Sequence, residues 1–168
     1  NVIGGKSNVA YLMRWNEYTA PKALYKLQKE GIIAKAATDK FSFALKGNTE
    51  NFSYGTILIP VASQSLNHEQ LFSKMISVAK ETGIDIYGMQ TGLSPQGIDL
   101  GSDRFQRIEK PEILMLIGGR VSSRDAGEIW HLFDERYAIP MTMTEGANLK
   151  NVNLNRYNTI ILPGGSYS

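Results

Sequence analysis

Short apolar segments alternate along the chain with longer segments in which apolar residues recur at helical spacing. The first amphipathic segment begins near Thr19, which can cap a helix, and ends at Gly31. The second begins at Asn67 and ends at Gly83, so both predict helices with defined ends. The apolar segments before, between and after these two helices are too short for buried helices and predict strands. These predicted strands are 9–15, 32–37, 55–61 and 84–89.

The same alternation returns after a turn-rich segment, 90–111, which we interpret as a crossing between two lobes. A strand is predicted at 112–119, and a helix capped by Ser122 or Ser123 follows it. The remaining segments are strands at 139–144 and 159–165, a polar connection at 145–158, and a loop or an irregular hairpin at 38–53.

Strands that are apolar along their whole length and are separated by helices are typical of a parallel sheet covered by helices. The sequence therefore predicts the α/β class, with a Rossmann-like or flavodoxin-like parallel sheet and flanking helices. We expect two similar strand–helix–strand units. Residues 1–109 are expected to hold the first unit, a degenerate repeat, together with a crossover. Residues 110–168 are expected to hold the second unit, truncated at its C-terminal side.

Two segments of the sequence, 51–65 and 156–168, contain matching residues at a constant separation. Tyr54 and Tyr157 lie 103 residues apart, and so do Pro60 and Pro163. The match is explained either by duplication of one unit or by convergence of similar buried strands, and the shared offset favours duplication. The first segment lacks the glycine pair that follows Pro163 in the second segment, so any function of that pair would belong to the second unit.

Composition narrows the classes of function. Charged residues make up 20% of the chain and the net charge is +2, without a run of Lys or Arg, so we predict no nucleic-acid binding. No apolar run is long enough to span a bilayer. Cysteine is absent, which excludes disulfides, thiolate metal sites and a Cys nucleophile within these residues. Because the chain begins with Asn1, we expect a piece of a longer protein.

Two glycine pairs stand at the ends of predicted strands in the second unit. Ligands of open α/β sheets bind outside the carboxyl ends of the strands. A backbone without Cβ atoms can turn sharply there and direct N–H groups at an anion or a developing oxyanion. The alternative for each pair is a tight turn into the next element. The candidate ligand-binding residues are Gly118, Gly119, Arg120, Gly164, Gly165, Ser166 and Tyr167.

Other polar residues give weaker indications. Arg120 and Arg124 can bind a carboxylate or a phosphate, or can extend from a solvated loop. Glu128 and His131 are three residues apart on a predicted helix, but no third ligand is evident, so we predict no metal site there. Ser166 lacks the glycine context of a nucleophile elbow, and we assign no catalytic residue.

The second unit resembles the class I glutamine amidotransferase-like fold. The resemblance rests on "EILMLIGG", "DAGEIWHLFDERYAIP" and "LNRYNTIILPGG". It implies that glycines after a strand supply the amides of an oxyanion hole, a role that would fall on Gly164 and Gly165. It also implies a Cys nucleophile with His and acidic partners on later elements, which these residues do not contain.

The same segments, with "AGEIWHLFD" as the most specific part, are similar to a domain that follows the peptidase domain in large, secreted bacterial zinc carboxypeptidase-related proteins. This resemblance implies a secreted or periplasmic parent protein, a hydrolase whose zinc is bound by the peptidase domain. Neither His68 nor His131 has a Glu three residues after it, so no zinc ligand is expected here and no cofactor is predicted for this segment.

Three functions remain open. The favoured one is a non-catalytic accessory domain that positions substrate or mediates interactions, with the peptidase domain of the same polypeptide as partner. The alternatives are a truncated amidotransferase-like enzyme, whose Cys and His would lie beyond Ser168, and a module that binds a peptide or a small anionic ligand. A homodimer is also expected if 159–162 presents an open sheet edge.

Overall fold

The computed structural model describes residues 1–45 and 47–167. The chain divides into two compact units, Asn1–Glu109 and Lys110–Ser168, which are described separately. Both units combine helices with sheets, so the prediction of an α/β chain is confirmed at this level.

The first unit contains a sheet of six strands in the order β1-β7-β2-β6-β3-β9 and a smaller sheet in the order β5-β4-β8. Its helices are α1 (Ala20–Lys29) and α2 (His68–Thr82). The strands are β1 (Val2–Ile3), β2 (Ala10–Met13), β3 (Ala34–Ala37), β4 (Phe41–Leu45), β5 (Asn48–Phe52), β6 (Ile57–Pro60), β7 (Ile86–Met89), β8 (Gln96–Gly97) and β9 (Phe105–Ile108).

The prediction of a parallel sheet is wrong for the first unit. Strand β2 runs antiparallel to both β6 and β7, β3 runs antiparallel to both β6 and β9, and β1 with β7 is parallel. The four residues of β2 are buried because both faces of the large sheet are covered. One face packs with apolar residues of α1 and α2, and the other with the phenylalanines of β4 and β5. An unbroken run of apolar residues in a strand therefore indicates that both faces of the sheet are buried, and it does not indicate whether the strand is parallel or antiparallel to its neighbours.

Two connections of the first unit differ from simple loops. The segment 38–53 forms an antiparallel hairpin of β4 and β5, which confirms the hairpin alternative. The segment 90–111 contains β8, which pairs with β4, and β9, which pairs with β3 at the edge of the large sheet, so its interpretation as a crossing missed two strands. In β9 one residue is buried, two are exposed and one is intermediate, and such a half-buried strand gives a weak apolar signal.

The second unit is built on three strands and one α-helix. The strands are β10 (Ile113–Ile117), β11 (Met141–Glu145) and β12 (Thr159–Ile161), and the helix is α3 (Ser123–Trp130). Strand β10 lies in the centre and is parallel to both neighbours, so the predicted parallel pairing is confirmed in this unit. A π-helical turn, His131–Arg136, extends α3, and two 3₁₀ segments, Gly146–Asn151 and Leu154–Arg156, connect β11 to β12.

The two units are not copies of one arrangement. Strand β6 carries the first matched segment and is antiparallel to β2, whereas β12 carries the second matched segment and is parallel to β10. A duplicated strand–helix–strand unit would keep the direction of equivalent strands. The sheet topology therefore does not support the prediction of two similar units.

Candidate functional site

A cavity of about 630 Å³ lies in the second unit, at the carboxyl ends of β10 and β11. In chain order the strands of this sheet are arranged 2-1-3, because β10 lies between β11 and β12. Connections that leave a central strand in opposite directions open a crevice at its carboxyl end, which is where such sheets bind ligands. The lining residues are Leu116, Gly118, Gly119, Arg120, Val121, Glu145, Gly146, Ala147, Leu149, Leu162, Ser166 and Tyr167.

The turn after β10 forms one wall of this cavity. The backbone N–H of Val121 donates to the carbonyl oxygen of Gly118 over 3.0 Å, which closes a four-residue turn. Gly119 occupies the first central position with a φ of +60°, as a type II′ turn requires. A side chain would be strained at this position, so the glycine is needed for the backbone path.

Gly118 serves a second purpose, because it lets the loop after β11 approach closely. A Cβ on Gly118 would lie 3.1 Å from Cγ of Glu145, the last residue of β11. The Glu145 side chain therefore crosses the end of β10 and joins the cavity lining. Among the described residues of the lining, the other charged one is Arg120, so these residues bring one charged group of each sign to the cavity.

The second glycine pair is placed differently. Gly165 forms an antiparallel bridge with Val121, in which the Ser166 N–H donates to the Arg120 carbonyl oxygen over 3.3 Å. The Ser122 N–H donates to the Gly164 carbonyl oxygen over 2.7 Å. These contacts tie the segment after β12 to the Gly119–Arg120 turn.

Of the seven residues proposed from the sequence, five line the cavity and two do not. Those five are Gly118, Gly119, Arg120, Ser166 and Tyr167. Gly164 and Gly165 lie behind the wall, where they allow close packing of the segment after β12 against the turn. Tyr167 is held at the rim by its hydroxyl, which donates to the Pro163 carbonyl oxygen.

The two arginines that the sequence offered as anion ligands are separated by the structure. Arg124 lies in α3 and its Nε is 3.1 Å from a carboxylate oxygen of Glu128, one helical turn away. Arg124 is not among the residues that line the cavity. Within residues 1–45 and 47–167 the Arg120 guanidinium forms no ion pair, and the backbone N–H groups of Gly119 and Arg120 donate no hydrogen bond. The cavity wall thus offers cationic and N–H donors to an anionic group.

Sequence reasoning missed the wall that follows β11. The sequence predicts only a polar connection at 145–158, yet four residues of this segment line the cavity: Glu145, Gly146, Ala147 and Leu149. The sequence did contain one indication of this wall, the position of Glu145 relative to a predicted strand. Glu145 follows an apolar strand predicted to be parallel to β10, and the carboxyl ends of parallel neighbours meet at one edge.

Two further findings concern metals and membranes. The residues that the structure describes contain no group of three or more His, Asp or Glu side chains placed to hold a metal ion. The carboxylate of Glu128 is paired with Arg124. No helix in the described parts of the chain is long and apolar enough to cross a membrane.

Comparisons were made with family models, with curated proteins and with solved structures. None of the three gave a match. The resemblance to amidotransferase-like domains and to zinc carboxypeptidase-related proteins therefore stays a prediction from the sequence.

Proposed function

We propose that residues 110–168 form a non-catalytic, ligand-binding accessory unit, and that the cavity at the ends of β10 and β11 takes a small ligand with an anionic group. The observation that carries this proposal is the Arg120 side chain, a lining residue whose guanidinium has no ion-pair partner in the described part of the chain. An unpaired guanidinium beside free backbone N–H groups favours a carboxylate, which it can bind through two parallel hydrogen bonds.

The second charged group of the lining, the Glu145 carboxylate, restricts the chemical class of ligand that we expect. Glu145 is an acceptor that would pair with an ammonium group, so a ligand with both a carboxylate and an ammonium fits the cavity better than a simple anion. Free amino acids and short peptides have this chemistry. The cavity volume of about 630 Å³ lies within the range of small-molecule sites, which is roughly 300–1,000 Å³.

The proposal of a non-catalytic role rests on the residue types available. The chain contains no cysteine, so these residues cannot supply the nucleophile of an amidotransferase-like enzyme. The parallel order 2-1-3 also supports a flavodoxin-like reading of this unit, in which the crevice is a binding site whatever the chemistry around it.

A screen of the complete 168-residue chain against amino acids and dipeptides by calorimetric titration tests the proposal. We expect saturable binding that Arg120→Ala removes and that Arg124→Ala, a change at a paired arginine outside the cavity, preserves. Equal binding by both variants would contradict the proposal. Saturable hydrolysis of an amide or ester by the chain would contradict the non-catalytic role.

The identity of the parent protein is a separate proposal. A secreted or periplasmic zinc carboxypeptidase-related parent, with zinc bound in its peptidase domain, is supported by the sequence resemblance. Sequencing the flanking reading frame tests it. An export signal and a His-x-x-Glu motif upstream are expected, whereas a Cys elbow downstream would contradict the non-catalytic role.

A further inference from the structure

A second cleft, of about 300 Å³, lies in the first unit, where β2 ends and β6 begins. Trp15, Asn16 and Tyr54 line it together with Arg14, Asn51 and Ser53. We call it the aromatic cleft. The proposed function of the second unit does not involve these residues.

Two large aromatic side chains of this cleft are open to solvent. Trp15 is 42% exposed and Tyr54 is 59% exposed. Trp15 nevertheless has a fixed support, because a Cβ on Gly55 would lie 3.3 Å from its Cδ1 atom, so the glycine leaves the space against which the indole rests. Aromatic rings that are positioned yet exposed offer a flat apolar surface to a ligand.

The lining residues of the cleft are close to electrically neutral, and the nearby cation, Nζ of Lys40, lies 5.8 Å from the centroid of the Tyr54 ring. Nη2 of Arg14 lies 2.6 Å from a carboxylate oxygen of Glu50, and Nη1 donates to the Tyr87 hydroxyl over 2.5 Å. The guanidinium also lies over the rings of Phe52 and Tyr87, with distances to the ring centroids of 5.2 Å and 4.8 Å. Its charge is therefore compensated inside the protein. The other lining residues carry no charge, which disfavours an ionic ligand.

The polar groups of the cleft can both donate and accept hydrogen bonds. The side chains of Asn16 and Asn51 are amides, and Ser53 carries a hydroxyl. Nη2 of Arg14 also donates to the Asn51 carbonyl oxygen over 3.3 Å, which steadies the backbone that presents the Asn51 amide. A ligand that matches these groups carries hydroxyls, because hydroxyls also donate and accept.

We propose that the aromatic cleft binds a neutral carbohydrate, with a sugar ring stacked on the exposed face of Trp15 and its hydroxyls bonded to the Asn16 and Asn51 amides. Two other ligands use aromatic surfaces. A proline-rich segment presents mainly carbonyl acceptors, which would leave the amide oxygens unused. A nucleic-acid strand needs unpaired cations for its phosphates, and the lining cation, Arg14, is paired with Glu50.

Tryptophan fluorescence of the complete chain tests this site. The chain has two tryptophans, so in a Trp130→Phe background the signal comes from Trp15 alone. The probes are soluble neutral oligosaccharides of glucose, xylose, mannose and N-acetylglucosamine. We expect at least one of them to shift the Trp15 emission in a saturable way. Asn51→Ala should weaken this binding by about tenfold or more, the effect of losing one well-made contact.

Matched variants separate binding from folding. Trp15→Ala should abolish binding measured by calorimetry, whereas Leu93→Ala, a change at an exposed apolar residue outside the cleft, should leave it unchanged. Asn51 is exposed, so its loss should leave the circular dichroism spectrum unaltered. No shift with any of the oligosaccharides would overturn the proposal, as would binding that survives Trp15→Ala. Saturation by a proline-rich peptide or a single-stranded oligonucleotide alone would also overturn it.

Discussion

Gly165 lies directly behind Arg120: a Cβ on Gly165 would be 2.6 Å from the Arg120 carbonyl oxygen. The same Cβ would be 2.8 Å from Cα of Val121, and both atoms belong to the backbone and cannot rotate away. The segment after β12 can therefore approach the turn that holds Arg120 only if residue 165 has no side chain. This contact joins a glycine noticed in the sequence to Arg120, the cationic residue of the proposed binding site.

Gly165→Ala should lower the free energy of unfolding of the second unit by about 1–3 kcal/mol, the usual cost of forcing extra atoms into a close contact. Gly127→Ala is the matched control, because a Cβ there meets nothing within 4 Å and alanine is the better helix former. Urea unfolding in a Trp15→Phe background measures both, since Trp130 then reports on this unit. Equal stability of the two variants would contradict the described packing.

Asn67→Ala should destabilise the first unit by about 1 kcal/mol, the typical cost of losing an N-cap. The Asn67 side chain accepts from the Gln70 N–H over 2.9 Å, and the Gln70 side chain accepts from the Asn67 N–H, which completes a capping box. Thr19 precedes α1 but makes no side-chain capping bond. Thr19→Ala should therefore change stability by less than about 0.5 kcal/mol.

The capping comparison uses urea unfolding in a Trp130→Phe background, in which Trp15 reports on the first unit. A loss from Thr19→Ala as large as that from Asn67→Ala would mean that the two helix starts are capped alike.

Two tyrosines of the first unit should resist ionisation. Burial raises the pKa of Tyr11 and of Tyr87 above the ordinary value of 10.0, since both hydroxyls lie within the fold. The folded state then holds protons that the unfolded state has lost. The stability from this difference is complete below pH 10 and disappears as the pH rises through the folded pKa values.

Ultraviolet titration of tyrosinate, in buffer and in urea, measures this difference. Part of the tyrosine signal of the folded chain should appear at higher pH than in the unfolded chain. Tyr87→Phe should reduce that late part, because burial raises the pKa of the Tyr87 hydroxyl. Coincident curves in buffer and in urea would contradict burial of the two hydroxyls.

The chain should associate through the edge of the second sheet at high concentration. Strand β12 is a terminal strand of this sheet, and Ile160 and the adjoining Leu162 are 51% and 57% exposed. Exposed apolar edges favour pairing with a second chain. Sedimentation should show concentration-dependent dimers that Ile160→Lys reduces and Leu93→Lys does not. A monomer at every concentration would contradict this expectation.

Local signals predicted the helices well, because caps and glycine ends act within a few residues. Asn67 and Gly83 bound α2, whose last turn ends with Gly83 in the left-handed conformation. Strand direction is not local. Strand β2 is apolar on both faces because α1, α2 and the hairpin of β4 and β5 cover the sheet, and this burial imitates the pattern of a parallel strand.

Part of the candidate site could also be predicted from the sequence, because it depends on local signals. A glycine pair at the end of an apolar strand marks a turn near a ligand edge, which led to Gly118 and Gly119. The sequence could not show that Gly165 supports the wall instead of lining it, because that depends on the approach of Arg120 and Val121 across the fold. For Glu145 the sequence offers only a positional signal, its place at the end of a predicted parallel strand, and Glu145 joins the lining because β11 ends beside β10.

The central claim is that Arg120 binds the anionic group of a small ligand in the cavity of the second unit. Nuclear magnetic resonance titration of the ¹⁵N-labelled chain with amino acids and dipeptides tests it most directly. We expect saturable shifts of the Gly119 and Gly146 amides, lost in Arg120→Ala and kept in Arg124→Ala. Shifts that persist in Arg120→Ala, or no shift of these amides with any of the ligands, would contradict it.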